Sequence, residues 1–380
     1  ILLSSISNDI FAKQIILNPS STTHPVVASK GMVATQHFLA SQVGEDILMQ
    51  GGNAYDAAIA VGFALAVVLP RAGNIGGGGF MVMHDAKTNE SYSIDYREKA
   101  PIKASRDMYL NDDGSVNTLR STVGYLAIGV PGTVYGMWEV HKKFGSMEWA
   151  KLLEPSIKLA SEGFEMTPYM TMALNNRYEK LSQFSETKSI FYKNYPIDFN
   201  TLLVQPDLAK TLSLIAQNGV AGFYEGEVAD KIVDAMKKNG GLISHRDLKK
   251  YRPSWRKPLL SSYKGIDVVT MGPPSSGGIH LIQMLNILEN HDLRNLGHNN
   301  PRYVALLTEV MKFAYADRSK YLGDPDFYEV PVKELISKEY AKKINQKLKL
   351  FQFMIPPPIP SSKIQPGEFM HNESEETTHY

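Results

Sequence analysis

The 380 residues include no cysteine, and that absence removes disulfides, thiol nucleophiles, cysteine-bound zinc and iron–sulfur clusters together. It does not fix a compartment, because a chain without thiols suits reducing and oxidising surroundings alike. An excess of one charge is also lacking. With 40 basic and 39 acidic residues the formal net charge is +1, which offers no electrostatic footprint for nucleic acid or an anionic membrane. Long hydrophobic runs are missing too. The longest nearly apolar stretch, residues 57–69, ends at Pro70 and falls short of the ~20 residues needed to cross a bilayer, so it reads as a buried helix. The 10 histidines are scattered, without His-Glu-x-x-His or calcium-loop spacing, so no metal catalysis is expected.

What remains is an ordinary globular composition, 43% hydrophobic and 21% charged. Helical periodicity runs over 36–49 and stops at Gly51-Gly52; Asn53 then caps a helix over 54–68 that is apolar nearly all round. Strands are expected at 80–84 and 91–96, joined by the turn Lys87-Thr88-Asn89-Glu90. Further helices are expected over 150–161, from Asp207 to Gly219, over 228–238, after the capping box that Ser244 opens, over 301–316 and over 332–347. A short strand at 266–271 leads into a loop and another buried helix. The lysines at 342, 343, 347 and 349 read as a solvated helix face. Five prolines in 354–367 favour extended backbone, a tether rather than core. No internal repeat and no domain seam is visible.

Four stretches carry possible chemistry. In "GNIGGGGF" (73–80) a helix precedes the glycines and a strand follows, the reverse of a phosphate loop; a turn where backbone meets backbone explains it better. "GPPSSGG" (272–278) is not a nucleophile elbow, and Ser275 and Ser276 read as helix caps. "SIDYREKAP" (93–101) puts Arg97 at a strand end beside Asp95, Glu98 and Lys99. Two readings stand open: an arginine paired with its acidic neighbours, or a guanidinium left to clamp a substrate carboxylate. "EETTHY" (375–380) has the pattern of a strand beginning at Thr377. If the peptide bond before a threonine is cut, one residue gains both a hydroxyl nucleophile and an α-amine of pKa about 7.7–8.0, already poised as a base near neutrality.

Taken together, "GGNAYDAAIAVGFALAVVLPRAGNIGGGGF" (51–80), "DYREKAP" (95–101), "GVPGTVYGM" (129–137), "FYEGEVA" (223–229), "WRKPL" (255–259), "PPSSGG" (273–278), "AYADRSKYLGD" (314–324) and "TTHY" (377–380) resemble the large-subunit portion of the γ-glutamyltransferases, N-terminal-nucleophile hydrolases. The resemblance runs from about Val27 to Tyr380. It implies an αββα sandwich completed by a second, small-subunit segment, to which this chain supplies the helix-rich part. It also implies a division into an N-terminal extension (1–26, whose apolar start fits a trimmed signal peptide), a large-subunit body (27–353), a proline-rich strap (354–376) and the first residues of the small subunit (377–380).

The activity implied is transfer and hydrolysis of γ-glutamyl groups, from glutathione or a similar donor to water or to an amino-acid or peptide acceptor. No cofactor, metal or nucleic acid takes part. A precursor would cut itself between Glu376 and Thr377, Thr377 would become the nucleophile, and Arg97 would hold the donor's α-carboxylate. The partner would be the small subunit from the same precursor, and the compartment periplasmic or extracellular. Glu376, a carboxylate beside Glu375, stands where the family varies. The family's oxyanion-hole donors lie beyond Tyr380, so these residues alone are expected to be inactive. Two alternatives stay open: a glutaryl-type cephalosporin acylase of the same superfamily, and a non-catalytic scaffold.

Overall fold

A computed structural model describes residues 26–348 and 357–369. The chain forms two compact units, each assembled from separated stretches: residues 1–74 with 140–217, and 75–139 with 218–380. Glu376, Thr377 and the N-terminal 25 residues lie outside the described residues.

The first unit is helical. His37 caps the helix Phe38–Met49, its ring nitrogen accepting from the Leu39 N–H at 3.3 Å. Asn53 and Asp56 form a capping box at the start of Ala54–Val68, as the sequence pattern requires. Asp56 is fully buried, and it accepts from the Asn53 N–H at 2.9 Å and the Ser146 N–H at 3.0 Å, so the carboxylate is satisfied without a counter-cation. Ala54–Val68 packs on Trp149–Glu162, where Phe63 meets Trp149 edge-on at 5.5 Å. The Trp149 indole N–H donates to the Ile215 carbonyl at 2.9 Å, tying in the helix Pro206–Asn218. Each large side chain buried here contributes about 1.5–3 kcal/mol.

The second unit carries the sheets. Phe80–Asp85 pairs antiparallel with Glu90–Asp95, Phe80 opposite Asp95, and Glu90–Asp95 pairs in turn with Ser254–Arg256, Ser93 opposite Arg256. The hairpin Leu259–Tyr263/Ile266–Thr270 turns at Lys264 and Gly265, both at positive φ (49° and 80°), the primed-turn geometry that suits strand twist. After it come the helices Ser276–Leu288, Pro301–Tyr321 and Lys338–Leu348. Ile287, Leu306, Val310, Phe313, Ile344 and Leu348 form their shared core.

Two expectations need correction. The single helix expected over 332–347 is split into Val332–Leu335 and Lys338–Leu348. Ser337 starts the second helix by accepting from the Tyr340 N–H at 3.1 Å, while Asn286 captures the Ile336 carbonyl at 2.7 Å. The described part of the proline-rich segment is irregular with a 3-10 turn at Ser361–Lys363, and it is not free. Ile364 is buried in the helical core with Ile359 against it, and Phe369 packs on a second apolar cluster. Prolines set the backbone; the apolar residues between them find walls to dock on. The lysine face does lie in solvent at 342, 343 and 347.

Candidate functional site

The site begins with glycines. A Cβ on Gly78 would lie 2.5 Å from the Tyr96 carbonyl and 2.7 Å from the Glu98 nitrogen, so only glycine lets this turn press against the strand end carrying Arg97. The Gly77 carbonyl accepts from the Gly132 and Thr133 N–H groups (2.7 and 3.1 Å), and Tyr96 exchanges both backbone bonds with Gly79. The glycines therefore act as a backbone-on-backbone turn, as the sequence reading has it. Arg97 is pinned through its own main chain. Its N–H donates to Asp95 Oδ1 at 3.1 Å, and its carbonyl accepts from the buried Tyr251 hydroxyl at 2.9 Å.

The side chain of Arg97 is exposed, and among the described residues it makes no hydrogen bond or ion pair. The reason lies 159 positions along the chain. Arg256, on the neighbouring strand, donates its Nε–H to Asp95 Oδ2 at 2.9 Å and both terminal nitrogens to Asp326 at 3.0 Å each. That bidentate contact, first, and the bond to Asp95 push the Arg256 guanidinium pKa up; the same contact holds the Asp326 carboxyl below the usual range. Both Asp95 oxygens thereby hold a hydrogen bond, Oδ1 from the Arg97 N–H and Oδ2 from Arg256. Of the two readings left open for Arg97, pairing with Asp95 does not occur through the side chain.

Arg97 lines an open cavity of about 990 Å³ together with Gly78, Asp95, Arg256, Ser275, Tyr315 and Arg318. Five of the quoted stretches, spread over more than 200 residues of chain, thus meet at one wall. Ser275 is an N-cap, accepting from the Gly277 N–H at 3.3 Å. Gly278 is obligatory behind it, since a Cβ there would lie 1.9 Å from the Met271 carbonyl. Arg318 stacks over the Tyr315 ring at 5.9 Å and adds a second guanidinium to the cavity. Sequence reasoning assigned no role to Arg256, Asp326, Tyr315 or Arg318. Arg256 and Arg318 stand inside quoted stretches, but nothing local marks their partners. Among the described residues no group of three or more histidine or acidic side chains is placed to hold a metal ion, and no helix is long and apolar enough to cross a membrane.

The chain that builds this arrangement, a glycine turn backing an arginine-bearing strand end, has the fold of the N-terminal-nucleophile hydrolases. The chain belongs to the gamma-glutamyltranspeptidase family, whose model matches residues 40–380. It is 46% identical over 359 residues to a glutathione hydrolase proenzyme of Escherichia coli K12, covering 94% of this chain and 61% of that one. It superposes on the crystal structure of Helicobacter pylori gamma-glutamyltranspeptidase with a TM-score of 0.87 at 46% identity, covering 93% of this chain and 100% of that chain. It is also 40% identical over 324 residues to an acylase ACY 1 proenzyme of Pseudomonas sp. V22, covering 83% of this chain and 58% of the acylase. The chain thus spans about six tenths of the length of the curated relatives it matches.

Proposed function

We infer that this chain is the larger part of a self-processing γ-glutamyl transferase and hydrolase. The observation that carries the reading is the unpaired Arg97 guanidinium in the cavity, kept available because Arg256 satisfies Asp95. An exposed arginine with a fixed main chain and no internal partner suits bidentate capture of a small carboxylate.

In this scheme Thr377 Oγ attacks the Glu376 carbonyl carbon, the C–N bond breaks with the proton passing to the amine, and an ester remains. Water cleaves that ester, returning the Glu376 carboxyl and the Thr377 hydroxyl. The freed α-amine, with its pKa of about 7.7–8.0, then serves as base when the hydroxyl attacks a γ-glutamyl carbonyl. The donor's amine departs, and water or an acceptor amine takes up the γ-glutamyl group. Arg97 holds the donor's α-carboxylate throughout, an interaction of about 1.5–3 kcal/mol. The smaller product of the cut is the partner subunit. We place the mature enzyme in the periplasm or outside the cell, which cell fractionation tests.

Similarity to the acylase favours a second reading, in which the donor is a glutaryl amide. Its terminal carboxylate would use Arg97 in the same way. Turnover of glutathione against a glutaryl amide by the purified enzyme separates the two.

Intact mass spectrometry of the protein from its complete reading frame, beside Thr377→Ala, tests self-cleavage. Two pieces parting between Glu376 and Thr377, with only an uncut Thr377→Ala chain, are expected; one uncut chain in both refutes it. Arg97→Ala should raise the donor KM about 10- to 150-fold, the range that 1.5–3 kcal/mol spans. An unchanged KM removes Arg97 from the site.

A further inference from the structure

The scheme above says nothing of what holds the segment preceding Glu376. Asp317, in the helix Pro301–Tyr321, is 1% exposed, a costly place for a carboxylate unless it is bonded. Its partners are specific. Oδ1 accepts from the Gly367 N–H at 2.7 Å and the Tyr340 hydroxyl at 3.0 Å, and Oδ2 faces the same hydroxyl at 2.8 Å and the Gln283 amide. One turn further along the helix, the Tyr321 hydroxyl donates to the Gly367 carbonyl. Both polar backbone groups of a single residue in the proline-rich segment are therefore held by two side chains of one helix.

The seat is tight around glycine. A Cβ at 367 would lie 2.6 Å from Phe369 Cζ and 2.7 Å from the Tyr340 hydroxyl. Phe369 then sits against Tyr321 and Tyr340, 5.0 Å from each ring and edge-on to both. With Ile364 buried nearby, the segment is held at a defined register. Apolar burial alone would have sufficed for a passive tether; a buried carboxylate reading one peptide group specifies position as well.

We propose that Asp317, with Tyr321 and Tyr340, is a positioning clamp that fixes the register of residues 357–369 and so presents the Glu376–Thr377 bond for its own cleavage. This rests on the self-cleavage reading above. The clamp acts close in sequence to the scissile bond. Gly367 stands nine positions before Glu376, whereas Leu348, the end of Lys338–Leu348, stands 28 before it. Fixing one peptide group that near the bond restricts where the bond lies and how it is oriented, which is the gain a positioning contact can give.

The test uses Tyr321→Phe, which removes one hydroxyl and keeps the ring, and Asp317→Asn, each made in the complete protein. Conversion to two pieces is timed by intact mass. The same changes on a Thr377→Ala background, which keeps the precursor whole, are followed by hydrogen exchange and thermal melting. The expected result is cleavage about 3- to 10-fold slower, with amide protection lost at 364–369 and the melting temperature and core protection retained. Cleavage at the unmodified rate although 364–369 has lost protection overturns the proposal. So does protection retained at 364–369 in both variants, and so does slowing that comes with loss of protection throughout the core. If the unmodified protein does not cut itself at all, the self-cleavage reading has failed; exchange at 364–369 still reports whether the clamp exists.

Discussion

Replacing Arg256 with methionine removes the cation from a network in which Arg256 and Asp95 are 16% and 8% exposed. Taking one partner from a buried ion pair costs about 3–5 kcal/mol, because the other charge stays behind. Asp95 keeps its bond from the Arg97 N–H, so the lower end, about 3 kcal/mol, is the better figure. The second arm, to Asp326, is 46% exposed and should add only about 0–1 kcal/mol. At about 2–4 °C per kcal/mol for a domain of this size, Arg256→Met should melt about 6–12 °C lower, while Asp326→Asn should stay within about 4 °C. Calorimetry on the purified protein is the assay, and a double-mutant cycle is the check. Asp95→Asn combined with Arg256→Met removes both charges, so its loss should be smaller than the sum of the single losses by 1 kcal/mol or more. In the single variant the freed Asp95 carboxylate should also compete for Arg97, raising donor KM more than it lowers kcat. Melting of Arg256→Met within about 2 °C of the unmodified protein, or additive losses in the cycle, would refute the idea that Arg256 both balances Asp95 and keeps Arg97 free.

The remaining predictions concern the frame around the site. Gly132→Ala puts a Cβ 2.0 Å from the Tyr96 carbonyl and 2.1 Å from the Tyr251 hydroxyl; a clash with backbone should cost more than about 3 kcal/mol and appear as insoluble protein or a markedly lowered melting temperature. Asp247 is buried, which works to raise its carboxyl pKa, but the Ile102 N–H at 2.7 Å and the Ser244 hydroxyl and N–H outweigh burial and hold it below the usual range. A depressed acid contributes stability above its unfolded value, about 3.9, and that stability is lost as pH falls through the folded value. Asp247→Asn should therefore cost about 1–3 kcal/mol at pH 7, with the gap to the unmodified protein closing below about pH 4 in urea titrations; a gap independent of pH would contradict the assignment.

Most of the helices and the first hairpin were legible because their signals are local. The Asn53 and Ser244 capping boxes, the glycine stops and the apolar periodicity all act between residues three or four apart, and folding kept them. The split at Ser337 was missed for a physical reason: a continuous helical pattern does not show that Asn286, 50 positions away, will take the Ile336 carbonyl. The two compact units left no seam because each is assembled from stretches the other interrupts.

For the site, the sequence by itself determined the kinds of group present: an arginine at a strand end, glycines that exclude side chains, a threonine after an acidic pair, and neither thiol nor metal-ligand spacing. Tertiary structure alone decided which of these groups are occupied. Asp95 could have paired with Arg97 two residues away, and instead it is held by Arg256 from a neighbouring strand. The proline-rich segment could have hung free, and instead a buried aspartate and two tyrosines hold its Gly367. Partner choice among charged and polar groups depends on burial and on which strands and helices are neighbours, and those are set only when the whole chain packs.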